Sequence, residues 1–141
     1  MTSLDLVYSS GILFHLEVAA RLVLAALLAG LLGWDREEKA RPAGLRTYML
    51  VALAAAVFTL ITFEIYESID TSSAGEVNAD PIRIIEAVTA GVAFLAAGAI
   101  IQGRHSVRGL TTGAGMWMAG AIGVASGTGN YVLAVMAALL A

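Results

Sequence analysis

The chain has 141 residues, of which 59% are hydrophobic and only 13% are charged, and its mean hydropathy is +0.83. Soluble domains carry about 25% charged residues, so this composition excludes an ordinary soluble fold and favours a protein of the lipid bilayer. There is no cysteine, so disulfide and thiol chemistry are excluded. The net charge of −3 says little by itself, and no nucleic-acid partner is expected.

Apolar segments predict an all-α membrane protein, a bundle of about five transmembrane helices. A transmembrane helix needs about 20 mostly apolar residues. The predicted helices cover residues 12–34, 45–66, 81–102, 110–125 and 131–141, and the last two are short. From Gly109 to Ala141 no residue is charged, which favours two spans over a water-exposed tail. We expect residues 1–141 to form a single transmembrane domain, with no soluble C-terminal domain.

Charge in the connecting segments predicts the orientation, because cytoplasmic loops are enriched in lysine and arginine. Two connections are basic, with the residues Arg36, Lys39, Arg41 and Arg46 in the first and Arg104 and Arg108 in the third. The connection between them contains Glu67, Asp70, Glu76 and Asp80 and no basic residue. The N-terminus is therefore predicted outside the cell and the C-terminus in the cytoplasm.

The first connection, residues 33–47, carries both signs of charge, and we call it the elbow. Topology alone would require only basic residues. Arg46 falls in the first turn of the second helix, where the helix dipole disfavours a cation. We therefore expect Arg46 to form an ion pair with Asp35 or Glu37. A solvated loop is the alternative, in which exposed pairs contribute about 0–1 kcal/mol each. We predict that opposite charges join the elbow to the third connection as a rigid cap.

Ionisable residues within spans are candidates for function, because burying them is costly. Glu17 and Arg21 lie four residues apart and are expected to pair. Glu86 follows Arg83 by three residues. If the two side chains form an ion pair, Glu86 has a structural role, whereas an unpaired Glu86 carboxylate could take up a proton or a cation. We favour the pair. Asp80 before Pro81 predicts a helix N-cap.

The remaining polar residues indicate neither an enzyme nor a cofactor. The external acids could attract Mg²⁺ or Ca²⁺, but their spacing fits no metal motif and a solvated acidic loop is the favoured interpretation. His15 and His105 are predicted on opposite sides of the membrane. No catalytic residue, metal site or cofactor is predicted.

Small residues recur four apart, in the pairs Ala26/Gly30, Ala29/Gly33, Gly109/Gly113 and Gly123/Gly127. Such pairs let helix backbones approach closely in lipid. Packing within one chain is favoured over a homodimer seam. A faint parallel repeat relates the two halves, each reading helix, basic connection, Gly-Leu-x-Thr and helix, at residues 44–47 and 109–112.

Two long stretches carry a resemblance to a known family. LLAGLLGWDREE followed by RPAGLRTYMLVALAAAVFTLI is similar to the first signature of the bacterial MgtC/SapB family of inner-membrane proteins. The second signature is matched by an Asp-Pro-x-Arg start, a small-residue run containing Phe-Leu, and then Val-Arg-Gly-Leu and a Met-Trp. The likeness covers roughly residues 17–141. Its matched positions include Asp35, Arg36, Arg41, Gly44, Arg46, Thr47, Asp80, Arg83, Arg108, Gly109 and Trp117.

The resemblance implies a five-helix domain in the bacterial inner membrane and a role in Mg²⁺ homeostasis or adaptation to low Mg²⁺. In pathogenic members it implies survival within macrophages through partners such as the ATP synthase. The chain departs from the virulence-type members at Thr111, where they tend to carry Asn, and at Met118, where they tend to carry Cys. The membrane core is unaffected by these departures.

Two functions are compatible with the sequence. The first is a modulator that acts on a membrane partner, with the cytoplasmic residues Asp35, Arg36, Arg41, Gly44, Arg46, Thr47, Arg108, Gly109 and Thr111 as its binding face. The alternative is a small Mg²⁺ or H⁺ transporter or channel, in which Glu86, Thr47, Thr111 and Thr112 line the path. A cation path usually needs acidic or carbonyl ligands near the bilayer midplane, and the off-centre Glu86 supplies only one.

Overall fold

In a computed structural model, the described residues 3–70, 82–102 and 106–141 form five α-helices and one pair of two-residue strands. The helices are α1 (Ser3–Glu38), α2 (Leu45–Asp70), α3 (Ile82–Gly98), α4 (Leu110–Gly127) and α5 (Tyr131–Leu140). Between α3 and α4, β1 (Ile101–Gln102) pairs antiparallel with β2 (Val107–Arg108). The predicted all-α fold is confirmed, while the predicted cap Asp80-Pro81 and the residues Glu76, Arg104 and His105 lie outside the description.

The helix boundaries differ from the prediction at both connections. The first helix continues through the charged residues to Glu38. The third helix ends at Gly98 rather than at Gln102, and the chain then turns into the β1–β2 hairpin. Each of α2 and α4 begins at the leucine of its Gly-Leu-x-Thr sequence, as the proposed repeat requires.

Helices α2 and α4 form the centre of the bundle, and their contact is built from small residues. An added Cβ at Gly123 would lie 2.3 Å from the Ala52 carbonyl oxygen, and one at Gly127 would lie 2.9 Å from that of Ala56. Ala52 and Ala56 are fully buried. The small-residue pairs therefore bring helix backbones together within one chain, the favoured interpretation of these pairs.

The outer surface is strongly apolar. Large hydrophobic side chains are exposed on every helix, and Phe94, Leu139 and Leu140 are at least 80% exposed. The segments Gly11–Glu38 and Leu45–Ser68 are long and apolar enough to cross a membrane. With its 10 residues, α5 rises only about 15 Å, half of a hydrocarbon core of about 30 Å. The surface and the two long helices indicate a membrane protein.

At the end of the bundle far from the elbow, Arg21 of α1 contacts the end of α4. Its guanidinium pairs with Glu17 on α1, as predicted, and also donates to the Gly127 carbonyl oxygen at 3.0 Å, which lies at the end of α4. The last carbonyls of a helix have no intrahelical partner and attract cations. Arg21 thus joins α1 to the α4–α5 turn.

Candidate functional site: an arginine-lined cavity between the two basic connections

The two connections meet at one end of the bundle and line a shared cavity of about 600 Å³. We call it the arginine cavity. The elbow contributes the residues Arg36, Ala40, Arg41 and Pro42, and the hairpin and the start of α4 contribute Val107, Arg108, Gly109, Leu110, Thr111 and Thr112. The predicted proximity of the two tips is therefore found.

The elbow keeps its shape through the way α1 ends. Ala40 has a left-handed backbone with φ of 51°, and the Arg41 N–H donates to the Arg36 carbonyl oxygen at 3.0 Å. This pattern satisfies a terminal carbonyl of the helix and turns the chain sharply. The turn leaves Arg36 half-buried and Arg41 exposed, both on the wall of the cavity.

The start of α4 is held by a close backbone contact. Gly109 has φ of 86°, and a Cβ at this position would lie 2.1 Å from the Ala99 carbonyl oxygen. A side chain is excluded there on both grounds, because the left-handed region favours glycine and no space remains. Gly109 therefore seats α4 against the segment that follows α3.

Tyr48 lies beneath the cavity and joins α2 to α4. Its ring is fully buried and its hydroxyl donates to the Thr112 carbonyl oxygen at 3.3 Å. The ring has room because Gly115 has no side chain: a Cβ there would lie 2.2 Å from the Tyr48 hydroxyl oxygen. Sequence reasoning missed Tyr48, although a tyrosine in an otherwise aliphatic segment signals a hydroxyl that needs a partner.

The predicted pairing of Arg46 with Asp35 or Glu37 does not form. Asp35 pairs with Lys39, one turn later, at 2.7 Å. The Glu37 carboxylate instead accepts the Leu45 N–H at 2.8 Å and so caps α2. Arg46 is exposed and does not line the cavity. Among the described residues no ion pair joins the two tips, because Asp35 and Glu37 are engaged within the elbow.

The other predicted binding residues lie around the cavity. Thr111 is exposed on its wall, and Thr47 and Gly44 are half-buried outside it. Gly44 allows the Glu37 cap, since a Cβ there would lie 2.8 Å from the Glu37 carboxylate. Trp117 is exposed on α4 beside a separate apolar groove.

The predicted Arg83–Glu86 pair is also not formed. Both side chains are exposed on α3, and no ion pair joins them among the described residues. The face of α3 that packs on the bundle carries Val88, Val92 and Ala96 instead. Within the part of the chain that the structure describes, no three His, Cys, Asp or Glu side chains converge to hold a metal ion.

The sequence model of the MgtC family matches residues 22–141. The chain belongs to the MgtC family. This shows the family that the two signatures indicated.

Three relatives illustrate the similarity. The chain is 36% identical over 124 residues to a protein of Escherichia coli (strain K12) named putative magnesium transporter YhiD, covering 88% of this chain and 57% of the relative. It is 37% identical to protein SrpB of Synechococcus elongatus, and the match covers 86% of this chain and 69% of the relative. It is 41% identical to protein MgtC of Brucella abortus (strain 2308), and the match covers 80% of this chain and 43% of the relative.

The chain spans between 43% and 69% of the length of these three relatives. No solved structure matches this chain. The position of the arginine cavity is therefore derived from the geometry of this chain alone.

Proposed function

We propose that this MgtC-family chain is a bacterial inner-membrane protein that modulates a membrane partner in Mg²⁺ homeostasis, without acting as an enzyme. In this proposal its five helices cross or enter the bilayer, with the N-terminus outside and the C-terminus in the cytoplasm. The arginine cavity would then face the cytoplasm. A membrane protein complex such as the ATP synthase is the kind of partner that we propose.

One observation carries the proposal: at the elbow end of the bundle, Arg36, Arg41 and Arg108 line a basic cavity outside the apolar body. A surface of this kind suits recognition. The helix interior beneath it is closed by alanine, glycine and Tyr48. A cation route would need oxygen ligands inside the bundle, whereas Glu86 is exposed on α3.

The alternative, a Mg²⁺ or H⁺ transporter, is favoured by two observations. A relative is named a putative magnesium transporter, and Thr59, Thr112 and Ser126 are buried hydroxyl residues in α2 and α4. Thr59 donates to the Ala55 carbonyl oxygen, while the Ser126 hydroxyl has no partner among the described residues. A flux measurement separates the two functions.

The test combines growth and flux. A bacterial host lacking its own MgtC-family gene would express the wild type, Arg36→Gln, Arg108→Gln or the control Arg83→Gln at matched levels in low Mg²⁺. We expect the two cavity variants to lose growth support and the control to retain it. In liposomes, we expect the purified protein to move neither Mg²⁺ nor H⁺. Flux that Glu86→Gln abolishes would overturn the proposal in favour of transport.

A further inference from the structure

We propose that the arginine cavity binds the phosphate group of an anionic ligand. The inference rests on the proposed function, because it assigns a ligand class to the face that we propose as the binding surface. It depends on the distribution of charge around the cavity, on the uncapped start of α4, and on the number of donors that these features bring together.

Charges of opposite sign are separated at the elbow. The residues Arg36, Arg41 and Arg108 line the cavity, and none of the described residues that line it is acidic. Glu37 and Glu38 instead line a separate groove with Trp34 and Leu45. A topology signal or a solvated loop does not require this sorting.

The three arginines have no ion-pair partner among the described residues. Asp35 lies within electrostatic reach of Arg36 and Arg41, but its carboxylate is paired with Lys39 at 2.7 Å. Three guanidinium groups around one cavity repel each other. An anion between them would remove that repulsion and accept their hydrogen bonds.

The first turn of α4 adds donors to the same cavity. Leu110, Thr111 and Thr112 line it, and the N-cap residue Gly109 has no side chain to cap the helix. The first N–H groups of a helix lack intrahelical acceptors, and together with the helix dipole they favour an anion. The corresponding turn of α2 is already occupied by the Glu37 carboxylate.

The donors match a phosphate better than a carboxylate or a halide. Guanidinium groups bind phosphate oxygens in a planar, bidentate manner. Three of them, supplemented by the amides of a helix start, exceed what the two oxygens and single charge of a carboxylate can use. A cavity of about 600 Å³ accommodates a phosphate together with part of the molecule that carries it.

A phosphate group could come from an anionic lipid headgroup or from a soluble phosphate compound, and the experiment separates these sources. The full chain would be placed in nanodiscs of neutral phosphatidylcholine, and inorganic pyrophosphate would be titrated by calorimetry. The titration would be repeated in nanodiscs that also contain phosphatidylglycerol. Size-exclusion elution and far-ultraviolet circular dichroism would check that each variant is folded.

We expect saturable binding of pyrophosphate in neutral nanodiscs. Arg36→Gln and Arg108→Gln should each weaken it about tenfold, in line with the loss of one charge-assisted hydrogen bond. The matched control is Arg46→Gln, which removes the same charge from the same elbow outside the cavity, and it should change binding less than about twofold. If phosphatidylglycerol competes with pyrophosphate, the source is a headgroup; if it does not, the source is soluble.

The proposal is overturned if the folded wild type binds no pyrophosphate in neutral nanodiscs and phosphatidylglycerol has no effect on the unfolding midpoint. Equal weakening by Arg46→Gln and Arg108→Gln would also overturn it, because the attraction would then be a general surface charge. Absence of phosphate binding combined with the predicted growth defects would reject the ligand class and leave the proposed function standing. Normal growth of variants that have lost phosphate binding would reject the proposed function instead.

Discussion

The helices α2 and α4 begin with nearly the same residues, Gly-Leu-x-Thr, but they satisfy their first turns in different ways. The first turn of α2 is capped by the Glu37 carboxylate of α1. The two helices approach this closely because Gly33 has no side chain, and a Cβ there would lie only 2.7 Å from the Leu45 Cα. Helix α4 follows a strand, has no side-chain cap, and faces arginines. The same local sequence thus produces one helix start that is closed internally and one that is open to a ligand.

The largest expected effect concerns the glycine before each helix. Gly109→Ala should lower the free energy of unfolding by about 3 kcal/mol or more, since the left-handed φ costs about 1–2 kcal/mol and the Ala99 carbonyl oxygen occupies the space of the new methyl. The matched change Gly44→Ala meets the flexible Glu37 side chain and should cost about 1 kcal/mol. Unfolding midpoints in detergent would measure both, and equal losses would show that Gly109 has no special role.

The next effect tests the closed start of α2. Glu37→Ala should lower the free energy of unfolding by about 1–2 kcal/mol, as is typical for the loss of a helix cap. Glu38→Ala is the control, because Glu38 is exposed on the same helix end, and it should change the value by less than about 0.5 kcal/mol. Denaturant unfolding of the purified variants would distinguish them. A smaller loss for Glu37 than for Glu38 would contradict the capping role.

The smallest effect converts the open start into a closed one. Thr111→Glu places a carboxylate in the first turn of α4 and should raise the free energy of unfolding by about 0.5–1 kcal/mol, through the helix dipole and the neighbouring arginines. The same change should exclude phosphate from the arginine cavity. The neutral Thr111→Gln serves as the control for side-chain size. A stabilised Thr111→Glu variant that still binds pyrophosphate would place the ligand elsewhere.

Much of this comparison was predictable from the sequence, and the rest depended on contacts between distant residues. Apolar length predicted the five helices, and the charges of the two connections predicted that they share one end of the bundle. The partner of Glu37 was not predictable, because Arg36, Lys39, Arg41 and Arg46 were all nearby cations and the winning donor is the Leu45 backbone N–H. The close approach of α1 and α2 at Gly33 determines that the Leu45 N–H is the partner of the Glu37 carboxylate.

The hairpin that ends α3 early was missed for a related reason. The sequence AAGAII reads as a continuing apolar helix, whereas the chain leaves the helix at Gly98 so that the backbone near Ala99 can meet Gly109. The same long-range contacts explain Tyr48, whose partner Thr112 lies on another helix. Patterns within one segment indicate helices, but contacts between segments determine where they end and which polar groups they satisfy.

The alanine and glycine seam between α2 and α4 has a mechanical consequence. Two backbones that touch directly have no rotamers to rearrange, so the seam cannot absorb a displacement by local repacking. A sliding of α4 that began beside Arg108 would be carried over its whole length to the Gly127 carbonyl oxygen, which accepts a hydrogen bond from Arg21. Helix α4 would therefore move as one rigid element between the arginine cavity at its start and the Arg21 hydrogen bond at its end.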